Sequence, residues 1–283
     1  MSGDGLERRV IVRTPAAVRA WHWINALVMF FLLASGLQIF NAHPALYFGQ
    51  AADFDHPALS LRAYITPHGL EGRTAVFGRS VVTTGLLGAS NDAAGHRVSR
   101  GFPTWVTLPS GRDLASGRRW HFFAAWFFVA NGLVYVAYLI GSGRALRALL
   151  PTLRDLRSIP RSILDHMLLK RHHGWEAARF NVLQKIAYLV VLFALLPLMA
   201  LTGLAMSPGM DAAAPGLLVV FGGRQSARTV HFLVAAGLVT FFAVHIFEVF
   251  AAGPLNELRS IITGRFVVRV PPGSAPEDAE AVS

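Results

Sequence analysis

The chain has 283 residues, 53% of them hydrophobic and 15% charged, with a mean hydropathy of +0.46. Soluble domains carry about 25% charged residues, so this composition excludes an ordinary soluble enzyme; the absence of cysteine excludes disulfides, iron–sulfur ligation, thiolate-bound zinc and covalent c-type haem. The net charge of +10 does not point to nucleic acid, because the basic residues flank apolar windows, where membrane topology places them.

Four windows are free of Asp, Glu, Lys and Arg: Arg19 to Asp53, Arg119 to Arg144, Lys185 to Asp211, and Arg228 to Glu248. A bilayer-spanning helix needs about 20 predominantly apolar residues, so the predicted fold is an all-α integral membrane bundle with spans near 20–40, 120–141, 184–206 and 228–250. The first run follows a basic stretch but exceeds the roughly 7–15 apolar residues of a signal peptide, and reads as a retained helix. Trp21, Trp23 and Trp120 fall at aromatic-belt positions. Lys and Arg concentrate in the N-terminal tail, the 142–183 connection and the C-terminal tail, whereas 207–227 holds only Arg224. The positive-inside rule then places both termini and the 142–183 loop in the cytoplasm and 207–227 outside.

Between the first two spans, residues 41–119 are too long for a simple connection. Rich in Gly and Pro, with apolar patches at Val81–Leu87 and Phe102–Leu108, they predict an ordered outer cap of short helices or strands. The Arg144–Leu169 stretch has arginines at helical spacing, as in segments that lie on anionic lipid. Residues 1–270 form one membrane domain, and the Pro-, Ala- and Glu-rich tail 271–283 is predicted disordered.

Of eleven histidines, His22, His121, His231 and His245 lie within or beside apolar spans, where an ionisable group is costly and usually functional. A single histidine near a helix end is ordinarily an interfacial or hydrogen-bonded residue; these four are paired in depth. His231 and His245 are 14 residues apart, about 21 Å along a helix and on nearly one face, since 14 is two heptads. His121 then shares a level with His231, and His22 with His245. Two bis-imidazole sites suit two b-type haems; a four-ligand zinc site does not fit pairs so far apart. Ser35-Gly36, Gly132, Thr202-Gly203 and Gly237 admit either a close macrocycle or close helix packing. Arg19, Arg118, Arg119 and Arg228 are candidate haem-propionate ligands or, equally, topology determinants.

The W-H-W at 21–23, R-R-W-H-F-F at 118–123, and T-V-H with A-V-H-I at 229–246 resemble the four-helix dihaem cytochrome b subunits of membrane-bound formate dehydrogenases, nickel–iron hydrogenases and thiosulfate reductases. The likeness covers roughly 10–265. It implies the same haem pairs, His22 with His245 and His121 with His231. Phe180-Asn181-x-x-Gln184-Lys185 is similar to the Y-N-A-G-Q-K stretch of formate dehydrogenase cytochromes, whose Asn lies at the menaquinone site; here Leu183 replaces the Gly. Asn181 and Gln184 either bind a quinone carbonyl or cap a helix, while Lys185 and Glu248 are candidate proton carriers.

The expected function is transmembrane electron transfer between quinone on the cytoplasmic side and a periplasmic molybdenum or iron–sulfur oxidoreductase. The alternative is a stand-alone dihaem cytochrome that oxidises superoxide and reduces quinone. A non-redox transporter with relaying histidines predicts no haem.

Overall fold

The structure is a computed structural model and describes residues 6–168 and 174–274. In chain order, strand β1 (Glu7–Val12) leads into helix α1 (Ala16–Phe40). Strands β2 (Ala45–Leu46), β3 (Leu59–Thr66), β4 (Gly69–Val76), β5 (Arg79–Val82), β6 (Ala89–Asn91) and β7 (Arg97–Ser99) follow. Helix α2 (Leu114–Ser142) precedes three short helices, α3 (Arg144–Leu149), α4 (Leu153–Arg157) and α5 (Ile159–Met167). The third span comprises α6 (Val182–Val190), a π-helical stretch (Val191–Leu195) and α7 (Leu196–Ala205). Then come α8 (Pro208–Ala213), α9 (Pro215–Val220), α10 (Arg224–Ala252), α11 (Pro254–Thr263) and β8 (Arg265–Val270).

Among the described residues, four helical segments are long and apolar enough to cross a membrane: 16–40, 114–142, 174–205 and 224–252. Little of their surface is buried in protein, and large apolar side chains such as Phe30, Trp126, Ile140 and Phe250 point outward at 63%, 72%, 72% and 64% exposure. Water would penalise such a surface, whereas hydrocarbon accepts it. The second helix begins at Leu114 rather than near 120 because Ser116, Arg118 and Arg119 extend it beyond its apolar window. Pro197, which has no N–H to donate, follows closely on the π-helical turn of the third span.

The all-α expectation is corrected by three small antiparallel sheets among the described residues. The cap segment carries β2-β3-β4-β5 and the β6–β7 hairpin. Its strands are short and half-exposed, so their sequence lacks a clear alternation, and turn chemistry defines them instead. Phe77 and Gly78, both at positive φ, reverse the chain between β4 and β5, as tight hairpin turns require. Gly72 lies so close to the Leu87 carbonyl and Ala89 backbone that a Cβ would collide. The third sheet pairs β1 with β8, Glu7 opposite Val270 through Val12 opposite Arg265. No local pattern reports a pairing between chain ends. The predicted disordered tail lies largely outside the described residues.

The chain divides into two compact units. One, the terminal unit, comprises Met1–Ile24, Asn131–Leu196 and Gly237–Ser283; the other, the cap unit, comprises Asn25–Ala130 and Pro197–Ala236. In the terminal unit, Phe266, Val268 and Val270 form a core with Ala178, Ile11 and Trp175. Arg13 pairs with Glu257 at 2.9 Å. A second core joins Tyr135, Leu139 and Leu149 to Trp21 and Tyr188. In the cap unit, Phe40, Leu46 and Leu61 pack with Phe102 and Phe232. The Asn41 side chain accepts from Phe102 N–H at 2.6 Å and donates to Phe102 C=O at 3.1 Å, fastening the end of α1 to the cap. The free N–H groups at the start of α10 donate to the Gly49 carbonyl and to Gln50 Oε1, which resolves the donor problem of a helix start.

Candidate functional site

In the cap unit, α2 brings His121 to His231 of α10, with ring centroids 6.2 Å apart and planes at 65°. His121 Nδ1 lies 3.2 Å from the Leu32 carbonyl and 3.1 Å from Ser35 Oγ. The carbonyl only accepts, so Nδ1 carries the proton. Ser35 sends its own hydroxyl hydrogen to the Phe31 carbonyl at 2.5 Å, and its oxygen accepts from the ring. Thr202 of α7 repeats the device: its hydroxyl donates to the Leu198 carbonyl at 2.6 Å and accepts from His231 Nδ1 at 2.9 Å. Both rings therefore hold hydrogen on Nδ1 and a lone pair on Nε2. Among the described residues, no hydrogen bond occupies either Nε2.

The residue after each hydroxyl is glycine, and each clears the ring it faces. A Cβ at Gly36 would stand 3.3 Å from His121 Cε1, and one at Gly203 would stand 3.5 Å from His231 Cε1. Sequence reasoning noted both hydroxyl–glycine pairs but did not assign the hydroxyls to the imidazoles. The detectable signal is Ser-Gly and Thr-Gly embedded in otherwise apolar spans.

In the terminal unit, His22 of α1 faces His245 of α10, with centroids 6.4 Å apart and planes at 55°. His22 Nδ1 is buried without a hydrogen-bond partner. His245 stacks on Phe241 at 5.9 Å and 16°. Among the described residues, no group of three or more His, Cys, Asp or Glu converges on a metal-sized site, so each pair stands as a two-imidazole set.

The separations fit a shared metal of the haem type. A metal–imidazole bond of about 2.0 Å plus roughly 1.1 Å to the ring centre, counted on both sides, requires centroids about 6.2 Å apart. In the cap unit the bare Nε2 lone pairs are what axial ligands present, and the hydrogen-bonded Nδ1 atoms fix tautomer and orientation.

Asn181 and Gln184 form a reciprocal cap at the start of α6. Gln184 N–H donates to Asn181 Oδ1 at 3.0 Å, and Asn181 N–H donates to Gln184 Oε1 at 3.2 Å. Their oxygens thus serve the helix start. Asn181 Nδ2 lies 3.3 Å from His166 Nε2. His166 Nδ1 donates to the Ser162 carbonyl at 2.8 Å, and its Nε2 is 3.6 Å from Glu248. The structure thus joins Asn181 to Glu248 through His166, which carries no local sequence signal. Lys185 turns instead to Asp155, donating at 2.9 Å. Burial pushes the Asp155 carboxyl upward, but the Thr152 N–H and the Lys185 ammonium outweigh it and hold the group below its ordinary range.

The four arginines separate. Arg19 donates to the Ile262 carbonyl at 2.7 Å and keeps a buried, unpartnered Nε. Arg118 lies over the Phe122 ring at 5.7 Å, Arg119 bonds Ser116 Oγ at 2.9 Å, and Arg228 donates to the His43 carbonyl.

A curated relative from Azospira oryzae, described as a putative protein-methionine-sulfoxide reductase subunit YedZ1, is 34% identical over 144 residues, covering 51% of this chain and 69% of the relative. No solved structure matches the chain. The family description of prokaryotic cytochrome b561 matches residues 13–264, nearly the whole of the four-helix region. The chain therefore belongs to the prokaryotic cytochrome b561 family, membrane proteins that transfer electrons through b-type haem.

Proposed function

We propose that this protein is a dihaem cytochrome b that carries electrons across the bacterial inner membrane, between quinone at the terminal unit and an oxidoreductase at the cap unit. The observation that carries this reading is the pair of two-imidazole sets, one in each unit, at separations of 6.2 and 6.4 Å. Two bound haems would supply one-electron transfer. His121 and His231 would hold one, oriented by Ser35 and Thr202; His22 and His245 would hold the other. The apolar helices would exclude water around each set.

Quinone chemistry moves protons as well as electrons, and titratable side chains gather in the terminal unit. His166 and Glu248 would accept a proton from a quinol hydroxyl, and the Asn181 amide would donate to the carbonyl form. In this reading the termini face the cytoplasm and the cap faces the periplasm. The relative's description as a reductase subunit supports a catalytic partner, and a molybdenum or iron–sulfur enzyme suits the resemblance to formate dehydrogenase and thiosulfate reductase cytochromes.

The test is a dithionite-reduced minus oxidised spectrum of the purified protein, with haem counted per chain. Two b-type haems with sharp reduced bands are expected. A count of one removes the dihaem arrangement, and none overturns the electron-transfer reading. Co-purification of a second redox subunit supports the docked role; isolation alone with quinone-reducing activity overturns it.

A further inference from the structure

Arg100 lies in the loop after β7 and is 3% exposed. Its Nε donates to the Phe102 carbonyl at 2.9 Å. Its Nη2 donates to Gln38 Oε1 at 2.8 Å and to Thr107 Oγ1 at 2.7 Å. All three acceptors are neutral oxygens. A guanidinium has five N–H donors, so the two on Nη1 remain, and among the described residues neither has a protein partner. Among the described residues no carboxylate pairs with the group; the nearby charge is Arg112, of the same sign. Burial, and then Arg112, both act to lower its pKa. A buried cation held only by neutral acceptors is an arrangement that a missing anion would complete.

Its position specifies that anion. Gln38 is three residues beyond Ser35 on α1, and its amide is aimed by donation to the Gly111 carbonyl at 2.6 Å. Across from it on α2 is Gly117, where a Cβ would stand 2.9 Å from Gln38 Cγ. Gly117 is four residues before His121. Ser35 meets His121, so the Gln38–Gly117 level lies one turn along both helices from the ring. Arg100 thus stands about one helical turn, roughly 5 Å, from the imidazole level and on its cap side.

We propose that Arg100 is a carboxylate-binding residue of the cap-unit site, with the Nη1 donors pairing a propionate of the haem held by His121 and His231. The inference rests on the haem reading above. Haem is an apolar disc with carboxylates at one edge, and that edge needs fixed cations where the cofactor leaves hydrocarbon. A guanidinium fork matches a carboxylate with two parallel bonds. A free carboxylate or halide offers related chemistry, and a docked protein's acid cannot readily reach a side chain this deeply buried.

The experiment uses the full chain in lipid nanodiscs, the R100Q and R100K variants, and redox titration of each haem. R100Q is expected to retain two haems while one midpoint potential falls by about 59 mV, a tenfold change for a one-electron couple. Losing the cation disfavours the electron-rich reduced form. R100K should recover most of the shift. Apoprotein loaded with haem dimethyl ester, which lacks propionate charge, separates the sources through affinity: at one site wild type should hold the ester about tenfold less well than haem, whereas R100Q should hold the two equally. Equal discrimination between haem and its ester in wild type and R100Q assigns Arg100 to another anion and overturns the proposal. An unchanged potential in a two-haem R100Q protein also overturns it. If R100Q does not accumulate, ester haem in unaltered protein still decides, because the cap-unit site should retain it about tenfold less well than haem. Absence of haem from wild type would instead overturn the underlying functional reading.

Discussion

The two units solve the same problem, opposing two imidazoles across about 6 Å, with different supporting chemistry. In the cap unit each ring is tied through Nδ1 to a hydroxyl on a neighbouring helix, and a glycine beside that hydroxyl makes room for it. In the terminal unit neither His22 nor His245 has a hydrogen bond among the described residues, and the rings rest against Trp23 and Phe241 instead. The terminal unit compensates with titratable company, His166 with Glu248 and Lys185 with Asp155. A rigidly oriented pair suits a site that only passes electrons. A pair held by packing, beside groups that exchange protons, suits coupling to quinone.

The largest effect that tests this division comes from deleting a whole pair. H121A combined with H231A should reduce haem content from two per chain to one, and H22A combined with H245A should remove the other. Pyridine haemochrome analysis and the two steps of a redox titration would show which remains. Loss of both haems from either double variant would mean that the units do not bind independently.

The next effect sharpens the contrast in orientation. S35A and T202A would strip the cap-unit rings of their hydroxyl partners and leave only backbone carbonyls to orient them. Removing such a hydrogen bond typically costs 10–100-fold in metal affinity, so the double variant should release one haem preferentially on dilution. Each single change should cost less than the double, because His121 retains the Leu32 carbonyl at 3.2 Å and His231 retains the Met199 carbonyl. Equal loss from both sites would contradict the assignment.

Much of this arrangement is legible in the primary structure, and the reason is the membrane. Hydrocarbon forbids unpaired charge over long windows, so Arg119 to Arg144 announces a helix, and a histidine such as His231 stands out against its neighbours. The 14-residue interval from His231 to His245 matches the pairing of each with a different helix. The cap is less legible. Its strands β3 and β4 are half-exposed on both faces, and a glycine such as Gly72 reads as flexibility until Leu87 and Ala89 are found against it. Ser35 and Thr202 look like small residues in apolar helices; only a partner 86 or 29 residues away reveals their role. Arg100 reads as one more basic loop residue, because burial at that position depends on Gln38 and Thr107 closing over it.

Smaller effects arise at the two glycines. G36A places a Cβ 3.3 Å from His121 Cε1, tighter than ordinary contact, whereas G203A places one at an ordinary 3.5 Å from His231 Cε1. Alanine in a helix gains up to about 1 kcal/mol over glycine. G203A should therefore raise the melting temperature slightly with unchanged haem spectra. G36A must move the His121 ring by a few tenths of an ångström, which cancels that gain and shifts the low-spin electron paramagnetic resonance of one haem. Identical behaviour of the two variants would show that neither glycine is needed for ring clearance.

The smallest effect lies in the terminal unit, at the Lys185–Asp155 pair. Both side chains are partly buried, at 16% and 28% exposure, so the pair lies between a surface bridge worth under about 1 kcal/mol and a buried one. The Asp155 carboxyl has its pKa lowered by the Thr152 N–H and Lys185 despite the opposing effect of burial. A carboxyl lowered in the folded state stabilises it fully above the unfolded value of 3.8, and that contribution disappears as pH falls through the folded value. D155N should thus lower stability by about 1 kcal/mol at pH 7 and by progressively less below pH 3.8, a convergence readable by thermal melting in detergent. Because this pair belongs to the terminal unit, the lower-melting variant should keep an unchanged potential at the His121–His231 haem. A shift there would mean that the two units share one electrostatic response, and the separation of roles drawn between them would fail.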